Sequence, residues 1–70
     1  MTIHTTAASA LHAHIGGTQT EVARRLGEHQ PAWGRYIRGD VQPRAERVRR
    51  WATVLGVALF VDVDGWRVAS

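Results

Sequence analysis

The chain has 70 residues, no cysteine and a formal net charge of +3. A chain this short forms one domain, residues 1–70, and leaves no room for a deep substrate cleft beside its core. The lack of cysteine excludes zinc sites built from thiols and disulfide scaffolds. No apolar run approaches the ~18 residues of a membrane span and no secretion signal is visible, so we expect a cytoplasmic protein with no membrane partner.

The first two predicted helices both end at glycines. The stretch from Thr5 to Ile15 has apolar residues at helical spacing, and Gly16-Gly17 ends it. A capping box follows, in which the Thr18 hydroxyl accepts from the N–H of the third helical residue and Glu21 reaches back to the cap N–H. The second helix closes at Gly27, and its apolar side carries Val22, Ala23 and Leu26.

Two further helices each carry an apolar stripe. Pro31 suits the first turn of the third helix, where its missing N–H needs no partner, and Gly39 ends this helix. Pro43 is predicted to open the fourth helix, and Gly56 ends it. The residues that these two helices are expected to bury are Trp33, Tyr36, Ile37, Val48, Trp51, Ala52 and Leu55.

The last part of the chain, residues 58–69, changes to the alternation of a β-hairpin. Asp64-Gly65 favours a two-residue type I′ turn, since both positions of that turn need a positive φ. The cross-strand pairs that this turn implies are Val63 with Trp66, Val61 with Val68, and Asp62 with Arg67. One face of the hairpin is then wholly apolar, and the last pair is an ion pair on the other face.

Together these elements predict an α+β fold of four short helices followed by a C-terminal hairpin. Met1–Thr5, which contains Ile3, is compatible with a short third strand. The second and third helices and the turn between them form a helix-turn-helix candidate over residues 18–39. In such a unit the first helix rests against the DNA backbone, and the second inserts into the major groove.

Basic side chains concentrate in this part of the chain. All nine basic residues are arginine, and eight of them lie between Arg24 and Arg50 against three acidic residues, so this window carries +5. The rest of the chain holds one arginine against three acidic residues, a charge of −2. The distribution indicates a polyanionic partner, although a solvated helix face has the same composition.

The residues at helix-turn-helix spacing carry a family resemblance. They are Thr18–Gly27, Trp33, Arg35, Gly39, Pro43–Val48, Trp51-Ala52 and Leu55–Val57. Together they resemble the Cro and phage-repressor helix-turn-helix family, often called XRE. The resemblance implies a transcriptional repressor of a phage or its bacterial host. It also implies a homodimer in which each recognition helix (about 29–38) lies in the major groove of a palindromic double-stranded DNA operator.

The resemblance also implies roles for individual residues. The expected base contacts are Gln30, Pro31, Ala32, Gly34 and Arg35. Glutamine pairs with adenine and arginine with guanine in the major groove. The expected phosphate contacts are Thr18, Gln19, His29, Arg38 and Arg44, with His29 standing where the family usually has a Ser or Thr cap. Arg47, Arg49 and Arg50 are expected to form a solvated helix face.

The hairpin resembles the lambda Cro branch of this family, including the Asp-Gly turn before the last strand. In that architecture the last strand pairs across the dimer. The resemblance therefore implies a dimer interface at Trp66, Arg67, Val68 and Ala69. An exposed strand edge of this kind is able to pair with another chain.

Two other functions stay open. One is an antitoxin that binds a partner protein and its own promoter, and the other is a DNA-bending excision factor. Four histidines are present, but without cysteine or a pair of histidines four residues apart they do not predict a metal site. We expect no enzymatic activity, no cofactor and no small-molecule ligand.

Overall fold

A computed structural model describes residues 4–69, and in them four short helices precede a two-stranded antiparallel hairpin. The elements are α1 Ala7–Ile15, α2 Gln19–Leu26, α3 Gln30–Arg38, α4 Ala45–Leu55, β1 Ala58–Asp62 and β2 Gly65–Ala69. The predicted α+β architecture, with a helix-turn-helix unit in its middle, is confirmed.

Two helices begin two residues later than predicted. α1 starts at Ala7 because Thr6 is its N-cap: the Thr6 hydroxyl accepts from the Ser9 N–H at 3.0 Å and donates to the Ile37 carbonyl of α3 at 3.2 Å. α4 starts at Ala45 rather than at Pro43, because the first carbonyl to accept helical hydrogen bonds is that of Arg44. Its φ of −69° and ψ of 152° make Arg44 an extended cap residue.

The predicted C-terminal ends of the helices are confirmed. α2 ends at Gly27 with a φ of 72°, and α3 ends at Gly39 with a φ of 82°. Both glycines have a left-handed backbone conformation, which residues with a Cβ atom rarely adopt. These two glycines set the direction in which the chain enters and leaves α3.

The core lies between the four helices, and the predicted stripes supply it. Its buried members are Ala8, Leu11, Val22, Ala23, Leu26, Trp33 and Trp51. Trp33 of α3 and Trp51 of α4 are both fully buried and meet edge to face, with ring centroids 5.0 Å apart. The Trp33 indole N–H donates to Nδ1 of His12 at 3.2 Å, so its polar end is also satisfied. The inner face of α3 is thereby anchored.

The predicted register of the hairpin is wrong by two residues. The observed pairs are Ala58 with Ala69, Leu59 with Val68, Phe60 with Arg67, Val61 with Trp66, and Asp62 with Gly65. Among the described residues only glycines have a positive φ, so Asp64 does not adopt the type I′ conformation. The turn is instead Val63-Asp64, followed by Gly65 with a φ of 132°, and Asp62 Oδ1 accepts from the Asp64 N–H at 2.9 Å.

The shift changes the pairs without exchanging the faces. Asp62 no longer lies opposite Arg67, so the predicted ion pair is not formed. Arg67 instead places its guanidinium 5.6 Å from the centre of the Phe60 ring. Val63 leaves the apolar face for the turn and is fully exposed.

A short bridge joins the N-terminal segment to the outer edge of β2. The His4 N–H donates to the Trp66 carbonyl at 2.9 Å, and the Trp66 N–H donates to the His4 carbonyl at 2.7 Å. This bridge is consistent in position with the predicted third strand. Residues 1–3, including Ile3, lie outside the described part of the chain.

Candidate nucleic-acid interface

The N-terminus of α2 is fixed by the side chain of Thr18. Its hydroxyl accepts from the Glu21 N–H at 3.1 Å and donates to the Glu21 carboxylate at 3.1 Å. Within residues 4–69 the predicted return bond from the cap N–H to the Glu21 carboxylate is not formed, and the carboxylate accepts from the Thr18 hydroxyl instead. A phosphate contact from the Thr18 hydroxyl would have to replace the bond that it donates to the Glu21 carboxylate, because the hydroxyl has only one proton to donate.

Three of the predicted contact residues meet where α2 and α3 cross. Gly34 is buried, and a Cβ atom there would lie 3.2 Å from Oε1 of Gln19 and 3.3 Å from Nη1 of Arg38. The side chains of Gln19 and Arg38 therefore lie over Gly34, on the surface formed by both helices. The lack of a side chain at Gly34 lets these two side chains approach the helix closely, and its predicted base contact stays a prediction.

Arg38 also forms an ion pair with the residue after α3. Its Nε lies 3.0 Å from Oδ2 of Asp40, and both side chains are more than half exposed. An exposed pair of this kind contributes little to stability, about 0–1 kcal/mol. Arg38 can therefore exchange Asp40 for another anion at small cost.

The first turn of α3 presents most of the predicted base-contacting residues. Gln30, Pro31 and Arg35 are exposed, and Ala32 is half-buried. The N-cap His29 is exposed and makes no side-chain capping bond, so no side chain caps this helix start. Pro31 and Arg35 lie opposite the buried Trp33 on the helix, whereas Gln30 lies three residues before Trp33 on the same side and is exposed at the first position of α3.

The arginines of α4 and of its N-cap separate into two groups by whether they approach Glu28, in the turn between α2 and α3. Arg44 and Arg49 are exposed and do not approach it. Half-buried Arg47 and exposed Arg50 do, with N–O distances of 2.8 and 3.5 Å. The prediction of a wholly solvated face is therefore wrong for Arg47. The role of Glu28 was not predicted, because an acidic residue in a turn carries no periodic signal.

The strand predicted to form a dimer is already used within the chain at one position. Trp66 and Val68 are half-buried, whereas Arg67 and Ala69 are exposed. The backbone N–H and C=O of Trp66 both bond to His4. Since backbone groups alternate between the two edges of a strand, those of Leu59 and Val61 in β1 point away from β2.

The described residues contain neither a metal site nor a membrane-spanning helix. Within residues 4–69 no group of three His, Cys, Asp or Glu side chains is placed to hold a metal ion. No helix in this part of the chain has the length and apolar character needed to cross a membrane.

The arrangement of α2, the Gly27–His29 turn and α3 is that of a helix-turn-helix DNA-binding unit. A model of the helix-turn-helix family matches residues 14–61, and the chain belongs to this family, which confirms the predicted Cro and XRE resemblance. Searches of curated proteins and of solved structures found no match. The chain is accordingly a regulator that binds double-stranded DNA. The likeness of its hairpin to the lambda Cro branch stays a prediction.

Proposed function

We propose that this chain is a Cro-type repressor that places α3 in the major groove of a palindromic operator and acts by occupying it. The observation that carries the proposal is the division of α3 into two faces. Trp33 is fully buried in the core, Pro31 and Arg35 are exposed on the opposite side of the helix, and Gln30 is exposed at its first position. A helix fixed on one face and polar on the other is suited to read base edges.

The residues in the exposed face have distinct proposed roles. Gln30, in the first turn, can pair with N6 and N7 of adenine, and Arg35 can pair with O6 and N7 of guanine. Pro31 and Ala32 supply apolar contacts to a thymine methyl group. These contacts specify sequence, because each uses a base edge.

A second set of residues surrounds this face and is proposed to bind phosphates. It consists of Thr18, Gln19, His29, Arg38 and Arg44. Gln19 and Arg38 support the idea most directly, since their side chains converge over Gly34 from two helices. Contacts of this kind position the protein on the duplex without reading its sequence.

One recognition helix reads only a few base pairs, so we propose a homodimer on two half-sites about 34 Å apart. The hairpin is the proposed interface, through the predicted residues Trp66, Arg67, Val68 and Ala69. Exposed apolar side chains at Phe60, Val61 and Val63 support this assignment. Strand addition at β2 must occur beyond Trp66, whose backbone is already paired with His4.

The proposal is tested by fluorescence anisotropy at ~150 mM salt with DNA from upstream of the gene and with a scrambled duplex of equal length. We expect the upstream DNA to bind at least about a thousandfold more tightly, the lower end of the range for specific complexes. Equal affinity for the two duplexes would refute sequence-specific repression.

The exposed apolar tip of the hairpin also favours a second candidate, an antitoxin that covers this surface with a partner protein. Phe60, Val61 and Val63 are the exposed side chains concerned. Co-purification with the product of a neighbouring gene, in a complex that changes when Val61 is replaced by Asp, would support this candidate. A homodimer with no such complex would support the repressor. We propose no enzymatic activity for either.

A further inference from the structure

Glu28 is the one acidic residue in the turn between α2 and α3, and its side chain is only 3% exposed. Its Oε1 accepts a hydrogen bond from Nη1 of Arg47 at 2.8 Å. Its Oε2 accepts one from the indole N–H of Trp51 at 2.9 Å and lies 3.5 Å from Nη2 of Arg50. The carboxylate is thus buried against α4, and all three of its partners belong to that helix.

This carboxylate is placed where its position decides the start of α3. The Glu28 N–H donates to the Ala23 carbonyl at 2.8 Å, which ties the turn to the end of α2. Gln30, the first residue of α3, follows two positions later. Because a buried carboxylate is stable only while it is paired, Glu28 cannot move without its partners on α4.

Trp51 connects the same carboxylate to the middle of α3. Its indole N–H bonds to Glu28, and its ring packs against Trp33 at 5.0 Å and Tyr36 at 5.4 Å between centroids. α4 therefore holds α3 in two places, just before its start through Glu28 and along its inner face through the Trp51 ring. Two such points fix the angle of a short helix as well as its position.

We infer that Glu28 is a positioning residue for base recognition, a role that rests on the proposed function of α3. It sets the orientation of the exposed face of α3 and holds Arg47 and Arg50 against the turn. Its carboxylate is itself no DNA ligand, because it is buried and has the charge of a phosphate. The sequence preference of the protein therefore depends on a residue that does not touch DNA.

The test compares Glu28→Gln with Glu46→Gln. Both raise the net charge by one, but Glu46 is an exposed residue of α4 for which no hydrogen bond or ion pair is found within residues 4–69. Each variant is titrated with the preferred upstream duplex and with its scrambled control at three salt concentrations. Circular dichroism fixes a temperature at which wild type and variants are fully folded.

We expect Glu28→Gln to lower the ratio of specific to scrambled affinity about tenfold, comparable to the loss of one base contact. Scrambled DNA should bind as tightly as before or more tightly, because two arginines lose their carboxylate partner. Glu46→Gln should leave the ratio unchanged. A purely structural role would alter the folded fraction and leave the ratio of the folded protein unaltered.

Arg47→Gln provides a second approach if Glu28→Gln does not fold. It breaks the same contact from α4, leaves the bond between Glu28 and Trp51, and changes the charge in the opposite direction. A fall in the ratio is again expected, now with weaker binding to scrambled DNA. An unchanged ratio in a folded Glu28→Gln or Arg47→Gln variant would overturn the inference, whereas a wild type that does not discriminate would refute the proposed function.

Discussion

The four helices and the hairpin differ in how many of their apolar side chains are buried in the core. Every buried apolar side chain within the described residues belongs to a helix, including both tryptophans that meet in the core. No residue of β1 or β2 is buried to this degree, and the hairpin packs on the core mainly through Leu59 and Val68. The helix-turn-helix therefore has one well-specified arrangement, while the hairpin depends on weaker, local contacts.

The largest expected effect follows from truncation of the core. Trp51→Ala removes the ring between α3 and α4 and leaves Glu28 without one of its donors, so we expect a loss of about 3–5 kcal/mol in the free energy of unfolding. Val61→Ala in the hairpin removes a side chain that is 58% exposed, and we expect a loss within ~1 kcal/mol. Urea denaturation measures both. Similar losses for the two variants would contradict the difference between the regions.

The next effect concerns DNA recognition. Arg35→Ala should weaken operator binding by about 1–3 kcal/mol and relax base preference at one position. Arg38→Ala should weaken binding to all sequences and reduce the salt slope by about one, because a phosphate contact reads no base. Arg67→Ala removes the same charge from the proposed dimer interface, so it should weaken operator binding through assembly and leave base preference unchanged at every position. Binding selections with randomised half-sites measure these preferences, and a preference altered only by Arg67→Ala would reverse the assignment of reading to the helices.

A smaller effect is expected from Gly34→Ala at the crossing of α2 and α3. The new methyl group would lie within 3.2–3.3 Å of the ends of Gln19 and Arg38, which are flexible and can yield by a few tenths of an ångström. Alanine favours helix by up to ~1 kcal/mol over glycine, so we expect stability to stay level or rise. Affinity for all DNA should fall roughly threefold, less than the loss of a whole contact.

The two measurements on Gly34→Ala should therefore move in different directions. Thermal unfolding gives the stability, and anisotropy gives the affinity. In an Arg38→Ala background the effect on affinity should shrink, since one of the displaced side chains is already absent. A Gly34→Ala variant that binds like wild type would indicate that the positions of Gln19 and Arg38 do not matter for DNA binding.

The helices could be predicted from the sequence because their determinants are local. Apolar spacing located the four stripes, and the glycines at positions 27, 39 and 56 located three helix ends. The starts of α1 and α4 were predicted two residues too early. A helix begins after the residue whose carbonyl accepts the first helical hydrogen bond, and residue type alone did not identify that residue here. Glu28 was missed for a related reason: its partners Arg47 and Trp51 lie 19 and 23 residues further along the chain, so only the tertiary packing brings them together.

The hairpin register was mispredicted for a different physical reason. A slip of one residue exchanges the two faces of a strand, so side-chain alternation excludes it. A slip of two residues keeps Leu59, Val61, Trp66 and Val68 on one face, and alternation cannot detect it. The turn therefore determines the register: Asp62 Oδ1 accepts from the Asp64 N–H, and Gly65 has the positive φ.

The smallest expected effect tests this register directly. A double-mutant cycle on Phe60→Ala and Arg67→Ala should give a coupling of about 0.5–1 kcal/mol, typical of an exposed cation above an aromatic ring. A cycle on Asp62→Ala and Arg67→Ala should give a coupling near zero, because these residues are not opposite each other. The reverse result would mean that the hairpin adopts the Asp64-Gly65 turn in solution. Because the two registers share one apolar face, the turn is then the part of the molecule whose sequence selects between them, while the helices admit no comparable alternative.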